Sequence, residues 1–361
     1  MKEKIKKITI TTSARLHFNS LKMNEAGGRG CGGVGLSLKD PSLQISFSTA
    51  DKTTVSGGNY FLRKEANRFV QSILEYLNIS SGVNVKIINF FPNQVGLGSG
   101  TQLGLSIGRG ISLLYGKKLN LGKIASITKV AGVSGIGFYS FSRGGLVIDG
   151  GYKMGEKESK KNFGEHSMTP PPLIGRYSFP RKWKILLITP RRPLSEISEI
   201  DEKKLFLKNT PIPLTEVGVI CTNVLMGLIP ALQEKDYFKF IEYLAEITTV
   251  GTKKIELELN RRSLRLINRC LSDYLAYKLI RVKNQQYKLW PNRISLGVSK
   301  YSHKKIPFLM LSSLGHTFYS ILLEDYHDID SIMKNVKKRL PLGWDVKLTE
   351  ARNTPAKSSI L

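Results

Sequence analysis

The stretch that decides the fold of this chain is Asn89-Phe-Phe-Pro-Asn-Gln-Val-Gly-Leu-Gly-Ser-Gly-Thr-Gln-Leu-Gly-Leu-Ser-Ile-Gly-Arg109. It continues a β-branched run from 83 to 91, which predicts a buried strand. Gly96, Gly98 and Gly100 then permit a loop with positive φ, which brings bare backbone N–H groups close to a ligand. After the loop, apolar residues recur at helical spacing. A strand, a glycine-rich loop and a helix N-terminus favour anion binding, because free N–H groups and the helix dipole attract negative charge.

The same pattern has a second interpretation that needs no phosphate. Gly100, Gly104 and Gly108 fall on one face of the predicted helix, and each helical glycine costs about 1 kcal/mol relative to alanine. A chain tolerates that cost where a sheet or a ligand must lie very close. A tight turn with helix–sheet packing therefore stays open. The loop is neither a Walker loop nor GxGxxG, so the usual nucleotide-binding folds are not indicated.

Length and composition limit the classes of protein to consider. The chain has 361 residues, enough for two domains of ordinary size, and its 41% hydrophobic and 23% charged residues are typical of a soluble globular protein. No uninterrupted apolar run approaches the roughly 20 residues of a membrane span, and no signal peptide is evident. The three cysteines, Cys31, Cys221 and Cys270, are odd in number and far apart, which argues against disulfides or a cysteine metal site. We expect a cytoplasmic protein with no membrane partner.

The net charge of +27 is compatible with nucleic-acid binding, with attraction of a polyanionic small substrate, or with adaptation to an intracellular milieu. The basic residues are scattered along the whole chain. No stacking aromatics alternate with them as in single-strand binders, and no nucleic-acid-binding signature appears. Nucleic acid is therefore disfavoured as a partner.

Several polar residues stand where they could serve a site. Arg15 and His17 share a parity on the first predicted strand, although such a pair is most often on the surface. The segment 27–35 has six glycines around Arg29, which suits a loop folded around a ligand, with a plain linker as the alternative. Asp149 ends an apolar strand before Gly-Gly. It is a candidate metal-binding or catalytic carboxylate, but its spacing favours a turn cap.

The remaining pattern predicts the order of elements. In the first half we expect helices over 60–77 and 121–131 and a hairpin over 138–149. The polar and then proline-rich segment 155–180 marks a domain boundary, giving domains 1–180 and 181–361. In the second half we expect a strand over 183–189, three helices over 216–277, a strand over 307–311, a Ser/Gly loop leading to a helix from 318, and a strand over 344–348.

Seven short segments carry a resemblance to a known family: Ser13-Ala-Arg-Leu-His17, Gly30-Cys-Gly-Gly-Val-Gly-Leu36, Gly96-Leu-Gly-Ser-Gly-Thr-Gln-Leu103, Ser134-Gly-Ile-Gly137, Gly144-Gly-Leu-Val-Ile-Asp-Gly-Gly151, Pro211-Ile-Pro-Leu-Thr-Glu216 and Ser312-Ser-Leu-Gly-His-Thr317. In this order they resemble the GHMP kinase superfamily. Within it, the closer match is to the β-ribofuranosylaminobenzene 5′-phosphate synthase family of the methanopterin pathway.

The resemblance implies both a fold and an activity. The fold is α+β, a two-domain GHMP-kinase-like fold with a ribosomal protein S5 domain 2-like N-terminal domain and a ferredoxin-like C-terminal domain, assembled as a homodimer. The activity is that of a decarboxylating glycosyltransferase. It joins phosphoribosyl pyrophosphate to 4-aminobenzoate or 4-hydroxybenzoate, gives a β-ribofuranosyl-arene 5′-phosphate, CO2 and diphosphate, and is expected to use Mg2+.

The resemblance also implies roles for individual residues. The diphosphate is expected on the loop residues Gly96, Leu97, Gly98, Ser99, Gly100 and Thr101. Catalytic roles are expected for Arg15, His17 and Asp149, and Arg15, His17 and Arg29 are candidates to bind the 5′-phosphate or the benzoate carboxylate. Substrate-binding roles are expected for Arg29, Ser134, Ser312, Ser313 and His316.

One observation separates the transferase from a kinase. GHMP kinases that use a catalytic aspartate carry it eight or nine residues before the Gly-Gly that follows the second helix. Here those positions are Gly135 and Ile136, and the segment 132–145 contains no acidic residue. Phosphoryl transfer needs a group that orients the attacking hydroxyl, so the transferase is favoured. An ATP-dependent small-molecule kinase and an inactive binding protein on the same fold stay open.

Overall fold

The computed structural model of the chain describes residues 7–23, 28–130, 132, 134–153, 169–194, 204, 208–275, 279–282, 285–290, 306–307, 309–325 and 328–360. The chain forms two compact units. Unit 1 comprises Met1–His17, Glu25–Phe179 and Ala351–Leu361, and unit 2 comprises Phe18–Asn24 and Pro180–Glu350. The predicted domains 1–180 and 181–361 are contiguous, whereas each unit includes a segment from elsewhere in the chain.

The strands, in chain order, are β1 Ile8–Lys22, β2 Arg29–Ala50, β3 Thr54–Gly57, β4 Gly82–Asn89, β5 Leu146–Asp149, β6 Tyr152–Lys153, β7 Leu173–Tyr177, β8 Trp183–Pro190, β9 Leu279–Val282, β10 Gln285–Trp290, β11 Ile306–Pro307, β12 Met310–Ser312, β13 Thr317–Leu323, β14 Trp344–Thr349 and β15 Lys357–Ile360. The sheet of unit 1 has the order β15-β1-β2-β4-β3, with β5 paired to β2 and β7, and β6 paired to β2. Unit 2 contains the antiparallel sheet β12-β13-β8-β14 and the small sheet β11-β10-β9.

The helices are α1 Tyr60–Tyr76, α2 Ser99–Leu114, α3 Leu121–Thr128, α4 Ile136–Ser142, α5 Leu214–Thr222, α6 Ile229–Glu234, α7 Tyr237–Ile247, α8 Thr252–Leu259, α9 Arg261–Leu275 and α10 Ile329–Arg339, with a π-helical stretch Asn223–Leu228 between α5 and α6. Asparagine side chains cap the N-termini of two helices, α1 and α3. Asn59 accepts from Leu62 N at 2.9 Å, and Asn120 accepts from Lys123 N at 2.8 Å. The helices predicted over 60–77 and 121–131 and the one after the glycine loop are confirmed.

The glycine face of α2 packs against neighbouring helices. A Cβ at Gly108 would collide with Ile124 of α3, and one at Gly104 would lie 3.2 Å from Thr128 Oγ1 of the same helix. A Cβ at Gly100 would lie 3.6 Å from Glu65 of α1. The packing interpretation is therefore right for part of the face, but the partner is a helix rather than the sheet.

The hairpin predicted over 138–149 is wrong in its first half. Residues Ile136–Ser142 form α4, with Phe138 and Phe141 buried on one side, and only β5 is a strand. The alternation of Phe138-Tyr-Ser-Phe-Ser resembled a strand because a helix of two turns offers too few residues to separate the two periods.

The helix predicted from Phe318 is also wrong. Thr317–Leu323 is β13, an inner strand that pairs with both β12 and β8. Nearly all its residues are buried. A short run that is apolar on both faces has no period that tells a buried strand from a buried helix.

The glycine-rich segment around Arg29 is mostly strand rather than loop. Residues from Arg29 onward belong to β2. Gly35 is needed there because a Cβ would collide with Leu16 O of the neighbouring strand.

By length and composition, the continuous helical segment 214–234 is the one stretch in the described parts of the chain that could cross a membrane. The core helix of a soluble protein meets the same criteria, and Val217, Ile220, Val224 and Leu228 on this segment are buried within the fold. The segment is interrupted by polar residues such as Glu216 and Asn223, so it is not an unbroken apolar run. The absence of a membrane partner stays a prediction.

The close approach of α2 and α3 gives a stability prediction. Gly108→Ala should lower the free energy of unfolding by about 1–3 kcal/mol, because overpacking against Ile124 outweighs the gain in helix propensity. Gly218→Ala is the matched control, since this exposed helical glycine of α5 has no neighbour within 4 Å of its Cβ position. It should stabilise by up to about 1 kcal/mol. Urea unfolding checks both, and equal effects of the two substitutions would contradict the packing argument.

Candidate active site

The glycine-rich loop leads from β4 into α2. Gly96 and Gly98 have φ of 86° and 80°, and Gly98 is the N-cap, so no side chain caps the first turn. Buried and partly exposed residues alternate along the loop: Leu97 and Ser99 are buried, whereas Gly96, Gly98, Gly100 and Thr101 are partly exposed. The N-cap residue therefore offers the first turn no side-chain acceptor, and the partial exposure of Gly100 and Thr101 suits an anion site.

Arg15 of β1 supports this loop from one side. Its Nη1 donates to Gly96 O at 2.6 Å, and its backbone N donates to Leu97 O at 3.0 Å. A Cβ at Gly98 would lie 3.1 Å from Arg15 Nε. The guanidinium thus holds the loop and places a positive charge directly beside it.

Glu65 of α1 lies on another side of the same helix start. Its Oε1 and Oε2 would be 3.6 and 3.9 Å from a Cβ at Gly100. Burial raises the pKa of this carboxyl, and Arg68, whose Nη2 is 3.7 Å from Oε1, opposes that rise. The sequence does not identify Glu65 as a site residue, because a glutamate on an amphipathic helix is usually an ordinary surface residue.

The start of α4 is tied to the glycine loop. Gln102 of α2 donates to Gly137 O at 2.8 Å, and Thr12 of β1 donates to Gln102 Oε1 at 2.5 Å. A Cβ at Gly137 would lie 3.1 Å from Thr101 Cβ. These contacts fix α4 against the first turn of α2.

Asp149 is fully buried at the end of β5. Its Oδ1 accepts from Gly151 N at 3.0 Å, so it caps the turn as its spacing favoured, and its Oδ2 accepts from Gly135 N at 3.1 Å. Burial raises the pKa of Asp149 to about 6, and the two N–H donors oppose the rise. The carboxyl is therefore held beside the start of α4 and is easier to protonate than an exposed aspartate.

His17 of β1 lies close to Asp149. A Cβ at Gly33 would be 3.2 Å from His17 Nε2 and 3.3 Å from Asp149 Oδ2, so the two side chains converge on this glycine of β2. A side chain at this position would push these neighbours away by a few tenths of an ångström. The surface interpretation is wrong for His17, which is buried, and Arg15 is partly buried.

Arg29 and Ser134 also belong to this neighbourhood. Arg29 donates from Nε to Gly150 O at 2.9 Å and from Nη2 to Gly151 O at 2.7 Å, so it braces the turn after Asp149. Ser134 Oγ accepts from Ile136 N at 3.2 Å at the start of α4.

Cys31 and Tyr152 are neighbours of Asp149 that the sequence did not single out as site residues. Burial raises the pKa of Cys31 to about 11, with a smaller contribution from the Asp149 charge. Burial, and then the same carboxylate, also raise the pKa of Tyr152. Both side chains are therefore uncharged at neutral pH.

The position of Asp149 changes one argument from the sequence. The segment 132–145 has no acidic residue of its own, but Asp149 brings a carboxyl to Gly135 from outside it. The absence of an acidic residue in this segment therefore no longer favours the transferase over a kinase, and the choice of activity has to come from other observations.

The remaining predicted residues lie in unit 2, at the turn between β12 and β13. Ser312 is buried, and Ser313 has φ of 59°. His316 Nδ1 is 3.0 Å from Ser263 Oγ, and its Nε2 is 3.1 Å from Leu194 O. Both ring nitrogens of His316 are thus engaged within the unit, and a substrate-binding role for these three residues stays a prediction.

A buried ion pair supports the same turn. Lys253 of α8 is fully buried, forms an ion pair with Glu256, and donates to Leu311 O at 2.9 Å. Asn260 donates to Leu314 O at 3.2 Å. The turn is therefore held from α8 and the start of α9.

Comparison with solved structures identifies the fold. The chain aligns over 99% of its length with 98% of a homoserine kinase from Cytophaga hutchinsonii, at a TM-score of 0.56 and 13% identity. It aligns over 96% of its length with 99% of a mevalonate kinase, at a TM-score of 0.55 and 14% identity. These likenesses concern the fold alone, and they confirm the predicted α+β GHMP-kinase-like fold.

Comparison of sequences identifies the family. Residues 59–144 match the GHMP kinases N terminal domain family. The chain is 35% identical to the β-ribofuranosylphenol 5′-phosphate synthase of Methanocaldococcus jannaschii, over 74% of this chain and 85% of the relative. It is 36% identical to the synthase of that name from Archaeoglobus fulgidus, over 70% and 78%. The resemblance drawn from the seven segments is confirmed: the chain belongs to the family of β-ribofuranosylphenol 5′-phosphate synthases, which is built on the GHMP-kinase fold.

Proposed function

We propose that the chain transfers the phosphoribosyl group of phosphoribosyl pyrophosphate to a para-substituted benzoate, 4-hydroxybenzoate or 4-aminobenzoate. The bond from ribose C1 to the diphosphate oxygen breaks, and C1 bonds to the ring carbon that carries the carboxylate. The bond to the carboxylate then breaks, its electron pair restores the aromatic ring, and CO2 leaves. The single observation that carries this proposal is the uncapped start of α2 with the Arg15 guanidinium against it.

That arrangement suits a diphosphate leaving group. The N–H groups of loop 96–101 are fixed donors for its oxygens, and Arg15 adds a positive charge that does not have to be moved into place. Donors that are already oriented toward developing negative charge stabilise the transition state without reorganisation.

The residues near the loop also fit Mg2+. A diphosphate on the loop would bring its anionic oxygens close to the Glu65 carboxylate, and a divalent cation would offset their repulsion. Magnesium commonly binds through one or two carboxylates together with substrate phosphates. In the described residues no group of three or more His, Cys, Asp or Glu could hold a metal unaided. Glu65 would therefore hold the ion jointly with the substrate, and the ion would neutralise charge on the departing diphosphate.

Asp149 and His17 suit the other half of the chemistry. Positive charge develops on the ribose as the diphosphate departs, and an ionised, buried carboxylate stabilises such charge strongly. His17 Nε2 lies beside Gly33 on the same side as Asp149 Oδ2, so both side chains would face the same ligand. Arg29 fixes the turn behind Asp149, and Ser134 lies at the start of α4. Substrate-binding roles for Ser312, Ser313 and His316, which lie in unit 2, stay a prediction.

An ATP-dependent kinase is the second candidate. The observation that favours it is the Asp149 carboxyl bound to Gly135 N, where a hydroxyl could be oriented. One experiment separates the two activities. The protein is incubated with phosphoribosyl pyrophosphate and each benzoate and scored for CO2 release, beside a set with ATP and sugars or polyols scored for ATP consumption. Release of CO2 without loss of ATP supports the transferase, and loss of ATP supports the kinase. If neither CO2 release nor ATP loss is observed, the result supports an inactive binding protein. Cytoplasmic location and homodimeric assembly stay predictions.

The loop assignment gives a binding prediction. Gly98→Val should weaken binding of phosphoribosyl pyrophosphate by more than about tenfold. Valine is strained at the φ of 80° that this position requires, and its side chain would press on Arg15. Isothermal titration calorimetry measures the affinity. Gly116→Val is the matched control, since Gly116 also has positive φ (63°) but nothing within 4 Å of its Cβ position. An unchanged affinity of Gly98→Val would refute the loop as the diphosphate site.

The role of Glu65 gives a metal prediction. Glu65→Gln should raise the Mg2+ concentration needed for half-maximal binding of phosphoribosyl pyrophosphate by about tenfold, because the neutral amide is a poorer ligand for a hard cation. Glu75→Gln, at the exposed far end of α1, should change nothing. Calorimetry at graded Mg2+ is the measurement. Equal Mg2+ dependence in the two variants would remove Glu65 from the site.

The raised pKa of Asp149 gives a pH prediction. The carboxyl is protonated in the folded protein below a pH of about 6 and ionised above it, so kcat/KM should rise as the pH increases through about 6. Asp149→Asn should lower kcat/KM and lose this ionisation. Because the folded state binds this proton more tightly than the unfolded chain, the same group should make the free energy of unfolding fall as the pH rises from about 4 to about 6. An acid limb that persists in the Asn variant would assign the ionisation to another group.

A further inference from the structure

The first turn of α1 leaves two aromatic rings in solvent. Tyr60 and Phe61 are 64% and 66% exposed, and their rings pack edge to face with centroids 5.7 Å apart. The other apolar residues along α1 include Leu62 and Phe69, which are buried against the fold. Two adjoining exposed rings form a small apolar patch, and apolar patches on a protein surface can mark ligand-binding sites.

Phe61 lies at the end of α1 that adjoins the start of α2. The helices α1 and α2 run side by side in the same direction. Near their N-terminal ends, Glu65 of α1 lies next to Gly100 of α2. Beyond their C-terminal ends, Tyr115, which follows α2, donates to the carbonyl of Gly82, which follows α1. Phe61 is one turn before Glu65 on the same face, about 5–6 Å further out. Helical side chains also lean toward the N-terminus. Phe61 is therefore on the N-terminal side of the α1–α2 pair, which is also the side of the glycine-rich loop.

The turn that carries these rings is fixed. Asn59 caps it by accepting from Leu62 N at 2.9 Å, and Arg63 Nη1 donates back to Gly58 O at 2.8 Å. The backbone that carries the two rings is therefore preorganised, and this reduces the conformational entropy that is lost when a ligand binds.

We propose that Phe61, with Tyr60 against its edge, is the platform on which the aromatic ring of the acceptor stacks. The proposal rests on the transferase function, because that reaction requires a flat apolar ring within about 3–3.5 Å of the ribose C1 beside the diphosphate. The platform is one helical turn from Glu65, whose carboxylate lies beside Gly100 of the loop, which suits a substrate pair that is anionic on one side and aromatic on the other.

Because the acceptor loses its carboxylate as CO2, the reaction favours binding of the acceptor through its aromatic ring rather than through its carboxylate. A cation bound tightly to the carboxylate would stabilise the ground state and raise the barrier to loss of CO2. Offset or edge-to-face contact with Phe61 binds the aromatic ring of the acceptor and leaves its carboxylate free to depart as CO2.

Steady-state kinetics test this role. Phe61→Ala should raise the KM for the aryl acid about tenfold, while the affinity for phosphoribosyl pyrophosphate, measured by calorimetry, stays at the wild-type value. Phe61→Trp should keep the KM near wild type. Tyr76→Ala is the matched control, because it removes an exposed aromatic from the far end of the same helix. An aryl-acid KM in Phe61→Ala equal to that of Tyr76→Ala would overturn the proposal while leaving the transferase function intact.

An equilibrium titration tests the platform without turnover. In Phe61→Trp, 4-hydroxybenzoate added with Mg2+ and diphosphate should quench the new indole fluorescence, relative to the same titration of the wild type with its three tryptophans. Quenching supports the platform even where the activity assay finds no product, so failure of the proposed function is separately visible. No difference from wild type, or quenching by ATP and not by the aryl acid, would overturn it.

Discussion

The hydrogen bond from Arg15 to the carbonyl of Gly96 is the contact on which the rest of the site depends. It fixes the loop in the conformation that ends at Gly98, and a glycine N-cap leaves the first turn of α2 without a side-chain cap. In most helices Ser, Thr, Asp or Asn would stabilise this end by roughly 1 kcal/mol. Here that stabilisation is given up, which suits the proposed role of these donors in binding a diphosphate.

Much of this arrangement could be predicted from local signals. The glycine loop and the start of α2 were evident because the strand period, the turn residues and the helix period follow one another without a gap. The same reasoning failed where the signal was short or symmetric. Residues 136–142 are too few to separate helix from strand, and the inner strand β13 is apolar on both faces. Glycines 33 and 35 indicated a loop, although they are there because β2 passes close to its neighbours.

The chemistry of the site was harder to foresee, because it depends on residues distant in sequence. Asp149 was recognisable as a turn cap, but no spacing reveals that its second oxygen reaches Gly135. Glu65 beside Gly100 is a contact between two helices and has no signature on either. In a chain of net charge +27, these two partly or fully buried acids matter more than the many surface cations, because charges removed from water interact far more strongly.

The division of the chain between its two units has a consequence for how it can be cut. Strand β15 returns to unit 1 and pairs antiparallel with the beginning of β1, Ile8 opposite Ile360 and Thr11 opposite Lys357. Unit 2 is thus largely an insertion within unit 1, and residues near the two ends of the described chain are neighbours in one sheet. A fragment that stops at residue 180 would lack this strand and leave β1 with an open edge, which invites aggregation. A circular permutant that links the ends and opens a surface loop preserves the pairing instead.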